Sequence, residues 1–498
     1  MEEINQQEPK SAKRCHIVAV PFPARGLINP MMNFCKHLAH KLGDNVKITF
    51  VVTEEWFGIL EPAPIPPQIH LRSIPNVIPS EFVRSSTLDF ETFLAIVVAE
   101  MQAPFEHVMD TSELATVIIA DFSLIWAFSI GNRRNIPVVS FWTASSFMFS
   151  VLSHADLLTK NGHSLDHSSD CYDEVINYIP GVSPTRLIDM PFLPRGNDPK
   201  FNPEMVAFTL LDKVQCLLIP TFYELEPQVT DTSKEIFQFP IYTIGPSISN
   251  LNSTINQHHQ THDKKIESAI ANYANDKELY YLKWLDSQPI SSVMYIAFGS
   301  TVSISGEQME EILAGLHESG VRYLLVSRGA GYLTSGIHGD GGGDLDDTTI
   351  SSRRLVVPWC DQLRVLCHFS VGGFWTHCGW NSVTESIYAG VPMLAFPIYF
   401  DQIPNRKLIV DDLKVGMKVM KEFGAKALVK RGEVETIVKE FMNINGGADE
   451  DANNEVKEMR RRSSELKDIC RKALAKGGSS DTNLNSFIKD ILHFHGNY

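Results

Sequence analysis

The 498-residue sequence has few cysteines, no excess of positive charge and no long apolar run. Its eight cysteines are dispersed and form no Cys-x-x-Cys pair, which favours reduced, partly buried thiols over a disulfide framework. With 44 Lys and Arg against 59 Asp and Glu, the net charge of −15 argues against nucleic acid or an anionic membrane as the main partner. Because no apolar stretch approaches 18 residues and residues 1–14 are polar, we expect no membrane span, no secretory signal and a cytoplasmic location.

What remains is the composition of an ordinary globular protein, with 44% hydrophobic and 21% charged residues, and it is long enough for two large domains. Short apolar runs alternate with helical patterns in two series, which indicates an α/β fold with largely parallel sheets. We predict strands at 16–20, 47–53, 116–120, 137–141 and 215–219, then at 293–298, 323–327, 354–357, 371–375 and 391–396. The two series are separated by a stretch rich in Asn, Gln and His, which is typical of a linker.

These boundaries predict an N-terminal domain over 1–246, a linker over 247–283, a second domain over 284–475 and a C-terminal helix over 476–498. Open parallel sheets bind ligands at the carboxyl ends of their strands. Two such domains joined by a linker therefore suggest an enzyme with a cleft between them.

The segment 371–390 combines a strand, a glycine-containing turn and a helix that we expect to start at Asn381 or Ser382. This arrangement favours phosphate binding, because the free N–H groups and the dipole of the helix point at the anion. His377, Asn381 and Ser382 add side-chain donors at the same end. An alternative is that Ser382 and Glu385 form only a capping box and satisfy backbone donors of the helix.

The block from Trp359 to Gln402 holds many distinctive residues at fixed spacings, and further short motifs lie outside it. These positions include Trp359, Gln362, His368, Gly372, Phe374, Thr376–Ser382, Glu385, Gly390–Pro392, Pro397, Asp401 and Gln402, together with Phe141–Thr143, Ile179–Gly181, Thr221–Glu226, Ile244–Pro246 and Phe298–Ser300. In these residues the chain resembles the plant family 1 UDP-glycosyltransferases: the block is similar to the signature box of that family, and the resemblance covers nearly the whole chain.

The resemblance implies a GT-B fold, in which an acceptor-binding and a donor-binding Rossmann-like domain face a cleft and the C-terminal helix crosses back to the first domain. It implies that Trp359 stacks on uracil with Gln362 beside it and that Glu385 holds the ribose hydroxyls as a bidentate acceptor. It also implies that the pyrophosphate is bound by Ser300, His377, Asn381 and Ser382, and that the sugar is held by Trp380, Asp401 and Gln402. Trp380 and Gln402 resemble the pattern for glucose donors, so UDP-glucose is the expected co-substrate.

We expect no cofactor and no metal, because hydrogen-bond donors beside a helix dipole can stabilise the charge on departing UDP. The expected partners are a UDP-sugar and a small-molecule acceptor, and the expected oligomeric state is a monomer. The acceptor-pocket candidates are Leu27, Phe122, Phe141 and Trp142. Their apolar and aromatic character suggests a small hydrophobic plant metabolite, such as a phenolic, a terpenoid or a carboxylic acid.

One position departs from the family pattern. Leu27 stands in Pro21-Phe-Pro-Ala-Arg-Gly-Leu-Ile-Asn-Pro30 where the family has its general-base histidine. Asp121 matches the family's acid partner of that histidine, and it is a direct base, a substrate-binding acid, a relic or a strand-end cap. An ordinary Asp is a weak base, but burial would raise its pKa.

Three functions are therefore considered for this pocket. The first is an inverting glucosyltransferase that uses Asp121 or an acceptor that ionises readily. The second is another reaction, such as rearrangement, cyclisation or sugar removal, and the third is non-catalytic binding of a nucleotide-sugar or metabolite. We predict the first, because so many donor-site positions match.

Overall fold

The computed structural model describes residues 14–80, 90–163, 173–191, 203–248, 280–299, 304–327, 353–419, 428–442 and 450–493. Most of the predicted linker, over 249–279, lies outside the described residues, as does Ser300. Within the described ranges, none of the helices combines the length and the apolarity that crossing a membrane requires.

The first half of the chain forms a seven-stranded parallel sheet with the order β3-β2-β1-β4-β5-β8-β9. A small antiparallel hairpin, β6 with β7, lies apart from it. The strands are β1 (Cys15–Val20), β2 (Val46–Thr53), β3 (Ile69–Ile74), β4 (Val117–Asp121), β5 (Val138–Phe141), β6 (Val175–Ile176), β7 (Thr185–Arg186), β8 (Cys216–Ile219) and β9 (Ile241–Thr243).

Helices connect these strands and cover the sheet. They are α1 (Arg25–Leu42), α2 (Glu54–Leu60), α3 (Phe90–Glu100), α4 (Gln102–Thr111), α5 (Trp126–Arg134), α6 (Ser146–Ser153), α7 (Ala155–Lys160), α8 (Pro203–Phe208) and α9 (Pro227–Ile236). Every residue of β1, β4 and β5 is buried, as expected for central parallel strands covered on both faces.

The second half forms a six-stranded parallel sheet with the order β12-β11-β10-β13-β14-β15. Its strands are β10 (Val293–Ala297), β11 (Arg322–Val326), β12 (Arg354–Val357), β13 (Val371–Thr376), β14 (Met393–Ala395) and β15 (Gly416–Lys418). Its helices are α10 (Tyr280–Asp286), α11 (Gly306–Ser319), α12 (Gln362–Leu366), α13 (Trp380–Ala389), α14 (Gln402–Lys407), α15 (Arg431–Met442) and α16 (Glu450–Leu474), and a π-helical turn spans Leu408–Asp412.

The last described helix, α17 (Ser479–His493), packs on the first sheet although it follows the second one in sequence. Leu484, Phe487 and Ile491 join the hydrophobic cluster of β1 and α1. Asn483 Nδ2 donates to the carbonyl oxygen of Thr243 at 2.9 Å. The helix α17 therefore contributes to the core of the N-terminal half.

Both sheets reverse their strand order beside their first strand, between β1 and β4 and between β10 and β13. The carboxyl ends of the strands at such a switch point form the usual ligand crevice of a doubly wound sheet. Leu27 follows β1, Asp121 ends β4, and His377 follows β13. The predicted α/β architecture is thus confirmed, and it directs attention to these two edges.

Candidate functional site

The N-terminus of α13 lies at the switch point of the second sheet, directly after β13. The helix begins at Trp380, one or two residues before the predicted start, and its N-cap is Gly379, which offers no side-chain cap. Ser382 is therefore the third residue of the helix, and both it and Glu385 bond to Gln362. The capping-box alternative is wrong, because neither side chain satisfies a backbone donor at the start of the helix.

Gln362 connects Ser382 and Glu385, which were predicted to bind pyrophosphate and ribose. Its Nε2 donates to Ser382 Oγ at 3.1 Å and to Glu385 Oε2 at 2.8 Å, while its Oε1 accepts from the Tyr295 hydroxyl at 3.2 Å. Glu385 Oε1 accepts no hydrogen bond from the described residues. This network fixes the carboxylate and leaves one oxygen available for a ligand.

Burial raises the pKa of Glu385 to about 7, and the hydrogen bond from Gln362 opposes that shift. The carboxylate therefore titrates near neutral pH in the unliganded protein. A ligand that donates hydroxyl protons to it would favour the ionised form.

Trp359 lies after β12, three residues before Gln362 in the sequence. Its side chain is 46% exposed, which is unusual for a tryptophan outside a binding surface. The adjacent short helix α12 begins with Asp361 Oδ1 accepting from the Arg364 N–H at 3.1 Å. The structure therefore holds an exposed aromatic side chain shortly before Gln362 in the chain.

His377 lies in the turn after β13, and its ring packs between Gly379 of the same turn and Gly299 after β10. A Cβ on Gly299 would lie 2.7 Å from His377 Nε2, and one on Gly379 would lie 2.5 Å from it, so only glycine leaves room for the ring. Burial lowers the pKa of His377 to about 4. The imidazole is neutral near pH 7, and it can donate one N–H without bringing a positive charge.

The turn between β13 and α13 is held in an unusual backbone conformation. Cys378 has a φ of 67°, in the left-handed region that few residues other than glycine adopt. Its N–H donates to Thr376 Oγ1 at 3.1 Å, and its carbonyl accepts from Asn405 Nδ2 at 3.0 Å. These bonds keep the following N–H groups of α13 directed at the crevice.

Asp401 and Gln402 begin α14 on the other side of this turn. Asp401 Oδ2 accepts from Asn405 Nδ2 at 2.9 Å, the Trp380 N–H also bonds to the carboxylate, and burial raises its pKa to about 7. Gln402 Oε1 accepts from the N–H groups of Ile398 and Tyr399, at 2.8 and 3.0 Å. Its amide nitrogen makes no hydrogen bond within the described residues, so it remains a free donor.

The Trp380 side chain lies in the hydrophobic core of the second half, 3% exposed. Its ring is covered, and among the described residues its Nε1 has no hydrogen-bond partner. A role for Trp380 in sugar binding therefore depends on its main chain and on this unpaired indole N–H rather than on the ring face.

Asn381 bridges the two halves of the protein. Its Nδ2 donates to the carbonyl oxygen of Gly26 at 2.6 Å, although the two residues are 355 positions apart. Gly26 lies in the first turn of α1, directly before Leu27. The carboxyl edges of the two sheets therefore face each other, and one of the two N–H donors of the amide predicted to bind pyrophosphate is used in this structure.

Asp121 ends β4 at the switch point of the first sheet, where it is 2% exposed. Its Oδ1 accepts from the Ser123 N–H at 3.0 Å, while its buried Oδ2 has no partner among the described residues. Burial raises the pKa of Asp121 to about 7. Leu27 packs against the cluster of Ala24, Ala120 and Leu124 and supplies no polar group.

The aromatic acceptor candidates divide into two groups. Phe122 and Trp142 contact each other edge to face with ring centroids 5.2 Å apart, in a cluster with Phe208. Phe141 is fully buried and packs against Phe34 of α1 in a different cluster. The structure thus brings Phe122 and Trp142 together, but gives Phe141 a role in core packing.

Sequence reasoning missed Tyr295, Asn405 and Gly26. Tyr295 lies within an apolar run that indicates only a buried strand, so its bond to Gln362 has no local signal. Asn405 could have been suspected, because a polar residue predicted inside a buried helix needs partners. The bond to Gly26 depends on how the two halves meet.

The comparisons with known proteins show which family the chain belongs to. Residues 265–443 match the family model described as UDP-glucoronosyl and UDP-glucosyl transferase. UDP-glycosyltransferases 87A1 and 87A2 of Arabidopsis thaliana are each 44% identical to this chain, over 95% and 98% of it and 99% of their own lengths. The crystal structure of Medicago truncatula UGT71G1 complexed with UDP-glucose is 25% identical, with a TM-score of 0.72 over 97% of this chain and 99% of that chain.

These matches confirm the predicted GT-B fold, and they extend over both sheets and the C-terminal helix. The chain belongs to the plant family 1 UDP-glycosyltransferases and is a UDP-sugar-dependent glycosyltransferase.

Proposed function

We propose that this enzyme transfers glucose from UDP-glucose, with inversion, to a small hydrophobic acceptor: a phenolic, a terpenoid or a carboxylic acid. The observation that carries the proposal is the network of Gln362, Ser382 and Glu385 together with the exposed Trp359. The UDP-glucose in the related Medicago structure supports the choice of donor. In this proposal residues 1–246 bind the acceptor and residues 284–475 bind the donor.

The nucleotide would be held by the network and by the start of α13. Trp359 would stack on uracil beside Gln362, and the free Oε1 of Glu385 would accept from the ribose hydroxyls. Ser300, the neutral His377, Asn381 and Ser382 would donate to the pyrophosphate with the open N–H groups of α13. The choice of these residues and of their roles follows the family resemblance, and the helix dipole also favours binding of the anion.

The sugar would be held at the start of α14. The Asp401 carboxylate would accept from sugar hydroxyls, and the free amide nitrogen of Gln402 would donate to one. The Trp380 main chain bonds to Asp401 and would help to set the position of its carboxylate.

In the transfer itself, the acceptor oxygen bonds to C1 of glucose while the bond from C1 to the β-phosphate oxygen breaks. The negative charge that develops on departing UDP is stabilised by the donors at the start of α13, so we propose that no metal cofactor is needed. We also propose that the enzyme acts as a cytoplasmic monomer.

Asp121 is the proposed catalytic residue. Its unpaired Oδ2 and its raised pKa, about 7, suit it to accept the acceptor's proton near neutral pH. Leu27 leaves this position without an imidazole and would instead line the acceptor pocket with Phe122 and Trp142. Phe141 would act by supporting this wall from the core. Acceptors that ionise readily need less help and should be the best substrates.

The proposal is tested with the full chain, 4-nitrophenol as acceptor and three donors: UDP-glucose, UDP-galactose and UDP-glucuronate. We expect UDP-glucose to give the highest kcat/KM and the proton spectrum of the product to show a β-glucoside. An α-linked product would contradict inversion, and equal kcat/KM for the three donors would contradict glucose selection at Gln402.

A further inference from the structure

Arg406 carries a positive charge from the donor half into the acceptor half. It lies in α14, four residues after Gln402, and its Nη2 forms an ion pair with Asp189 Oδ1. Asp189 ends a short 3-10 turn, Leu187–Asp189, which follows β7. Both side chains are almost fully buried, 7% exposed for Arg406 and 3% for Asp189.

Asp189 is held from both sides. Its second oxygen, Oδ2, accepts from Arg186 Nε at 2.8 Å, so one carboxylate joins two guanidinium groups. Arg186 is 44% exposed and belongs to the same segment as Asp189. The buried pair of this group, Asp189 with Arg406, therefore forms a contact between the two halves.

This ion pair is formed by the same helix, α14, that carries Gln402, whose amide is proposed to donate a hydrogen bond to the sugar. Residues four apart lie on one face of a helix, so Arg406 and Gln402 lie on the same face of the short helix α14. Gln402 is fixed at the start of α14 by the N–H groups of Ile398 and Tyr399. The Asp189–Arg406 pair therefore ties the helix that carries Gln402 to the acceptor half.

A second hydrogen bond, from Asn381 to Gly26, also joins the two halves. Asn381 Nδ2 donates to Gly26 O at the start of α13, whereas Arg406 pairs with Asp189 at the end of α14. The two halves are thus joined at two separate points. The Asn381 bond uses a main-chain carbonyl, but the Arg406 bond uses a buried charge, which a substitution can remove selectively.

We propose that Asp189 and Arg406 are positioning residues for glycosyl transfer. Their buried pair sets the distance and orientation between the sugar-binding start of α14 and the acceptor-side segment 185–191. This proposal rests on the proposed role of Gln402 in sugar binding. Neither side chain belongs to the network of Gln362, Ser382 and Glu385 that is proposed to bind the nucleotide. The loss of either should therefore affect transfer rather than UDP binding.

The kinetic test compares Arg406→Met with Lys407→Met in the full chain, using UDP-glucose and 4-nitrophenol. Lys407 is the matched control, because it is 8% exposed but pairs with Asp412, within the donor half. A displacement of about 1 Å can cost a hundredfold in rate, so we expect Arg406→Met to lower kcat by roughly tenfold to a hundredfold. We expect UDP affinity within twofold of wild type, and Lys407→Met close to wild type in both.

Removing Arg406 leaves the buried Asp189 carboxylate paired only with the exposed Arg186, which can destabilise the fold. The double variant Asp189→Asn/Arg406→Met removes both charges of the buried pair and should be better folded than Arg406→Met alone, with the same loss of kcat. A double variant that regained wild-type kcat would overturn the proposal, because the loss would then come from the carboxylate that Arg406 no longer neutralises.

Hydrogen exchange provides a measurement that does not need an acceptor. With UDP bound, amides of segment 185–191 should exchange faster in Arg406→Met than in wild type or Lys407→Met. Unchanged exchange there, or a fall in UDP affinity as large as the fall in kcat, would overturn the proposal. If wild type transferred no hexose, the proposed function would fail, while the exchange comparison would still decide whether the pair holds this segment.

Discussion

The replacement Leu27→His should convert the acceptor side into a conventional base arrangement. Residue 27 lies in the first turn of α1, and Asp121 ends the neighbouring strand with its Oδ2 unpaired. An imidazole at position 27 could donate to that oxygen and present its other nitrogen to the acceptor. The buried carboxylate would gain the partner that it lacks in this structure.

The magnitude follows from the cost of lacking a positioned base. General-base catalysis contributes roughly 10²–10⁴-fold to the rate of a step that needs proton removal. Asp121, with a pKa of about 7, supplies part of this already, so the gain should lie near the lower limit. We expect transfer to a neutral aliphatic alcohol to rise roughly 10²-fold. Transfer to 4-nitrophenol should change little, because that acceptor ionises without help.

The assay measures UDP release and product mass for both acceptors in wild type and Leu27→His. Leu27→Gln is the control for polarity without a base, and Leu27→His/Asp121→Asn tests whether the gain depends on the carboxylate. We expect Leu27→Gln to show no gain and the double variant to lose most of it. If Leu27→His folds and binds UDP like wild type, yet neutral alcohols gain nothing, the reasoning about this pocket is refuted.

Three further predictions concern the buried carboxylates. Glu385→Ala should raise the Kd of UDP roughly tenfold to a hundredfold in calorimetry, because a hydrogen bond to a charged group contributes about 1.5–3 kcal/mol; a lower Tm with an unchanged Kd would indicate a structural role instead. Because the pKa of Glu385 is about 7, the affinity of the wild type for UDP should decrease as the pH is lowered from 8 to 6. The affinity of Glu385→Gln should depend less on pH over the same range. Burial raises the folded pKa of Asp121 from 3.8 to about 7, so its ionised form destabilises the fold fully above about pH 7 and not below about pH 4. The Tm of Asp121→Asn minus that of wild type should therefore be larger at pH 8 than at pH 5, and an equal difference would show that the carboxyl is not desolvated.

The central strands could be predicted from sequence because they are buried on both faces. β1 and β10 are continuous apolar runs, and their predicted bounds agree with the structure to within one residue. The edge strands β3 and β15 were not predicted. β3 contains His70 and Arg72, and β15 has only three residues, since an edge strand has one neighbour and needs no continuous apolar run.

The local geometry of the donor site was also partly predictable. A glycine-containing turn before a helix indicates an anion site whatever surrounds it, and the structure has that turn at Gly379. The contacts that complete the crevice were not predictable, because they join distant parts of the chain. Asn381 and Gly26 are 355 residues apart, and Arg406 and Asp189 are 217 apart, so periodicity and spacing carry no signal for them.

The most direct test of the account is UDP release from UDP-glucose with a pool of phenolic, terpenoid and carboxylic acceptors, with the products identified by mass. The account predicts acceptor-dependent UDP release, a product heavier by one hexose, and faster turnover for the more acidic acceptors. Tight binding of UDP-glucose without acceptor-dependent release, or release of UDP with no hexose on any acceptor, would contradict it.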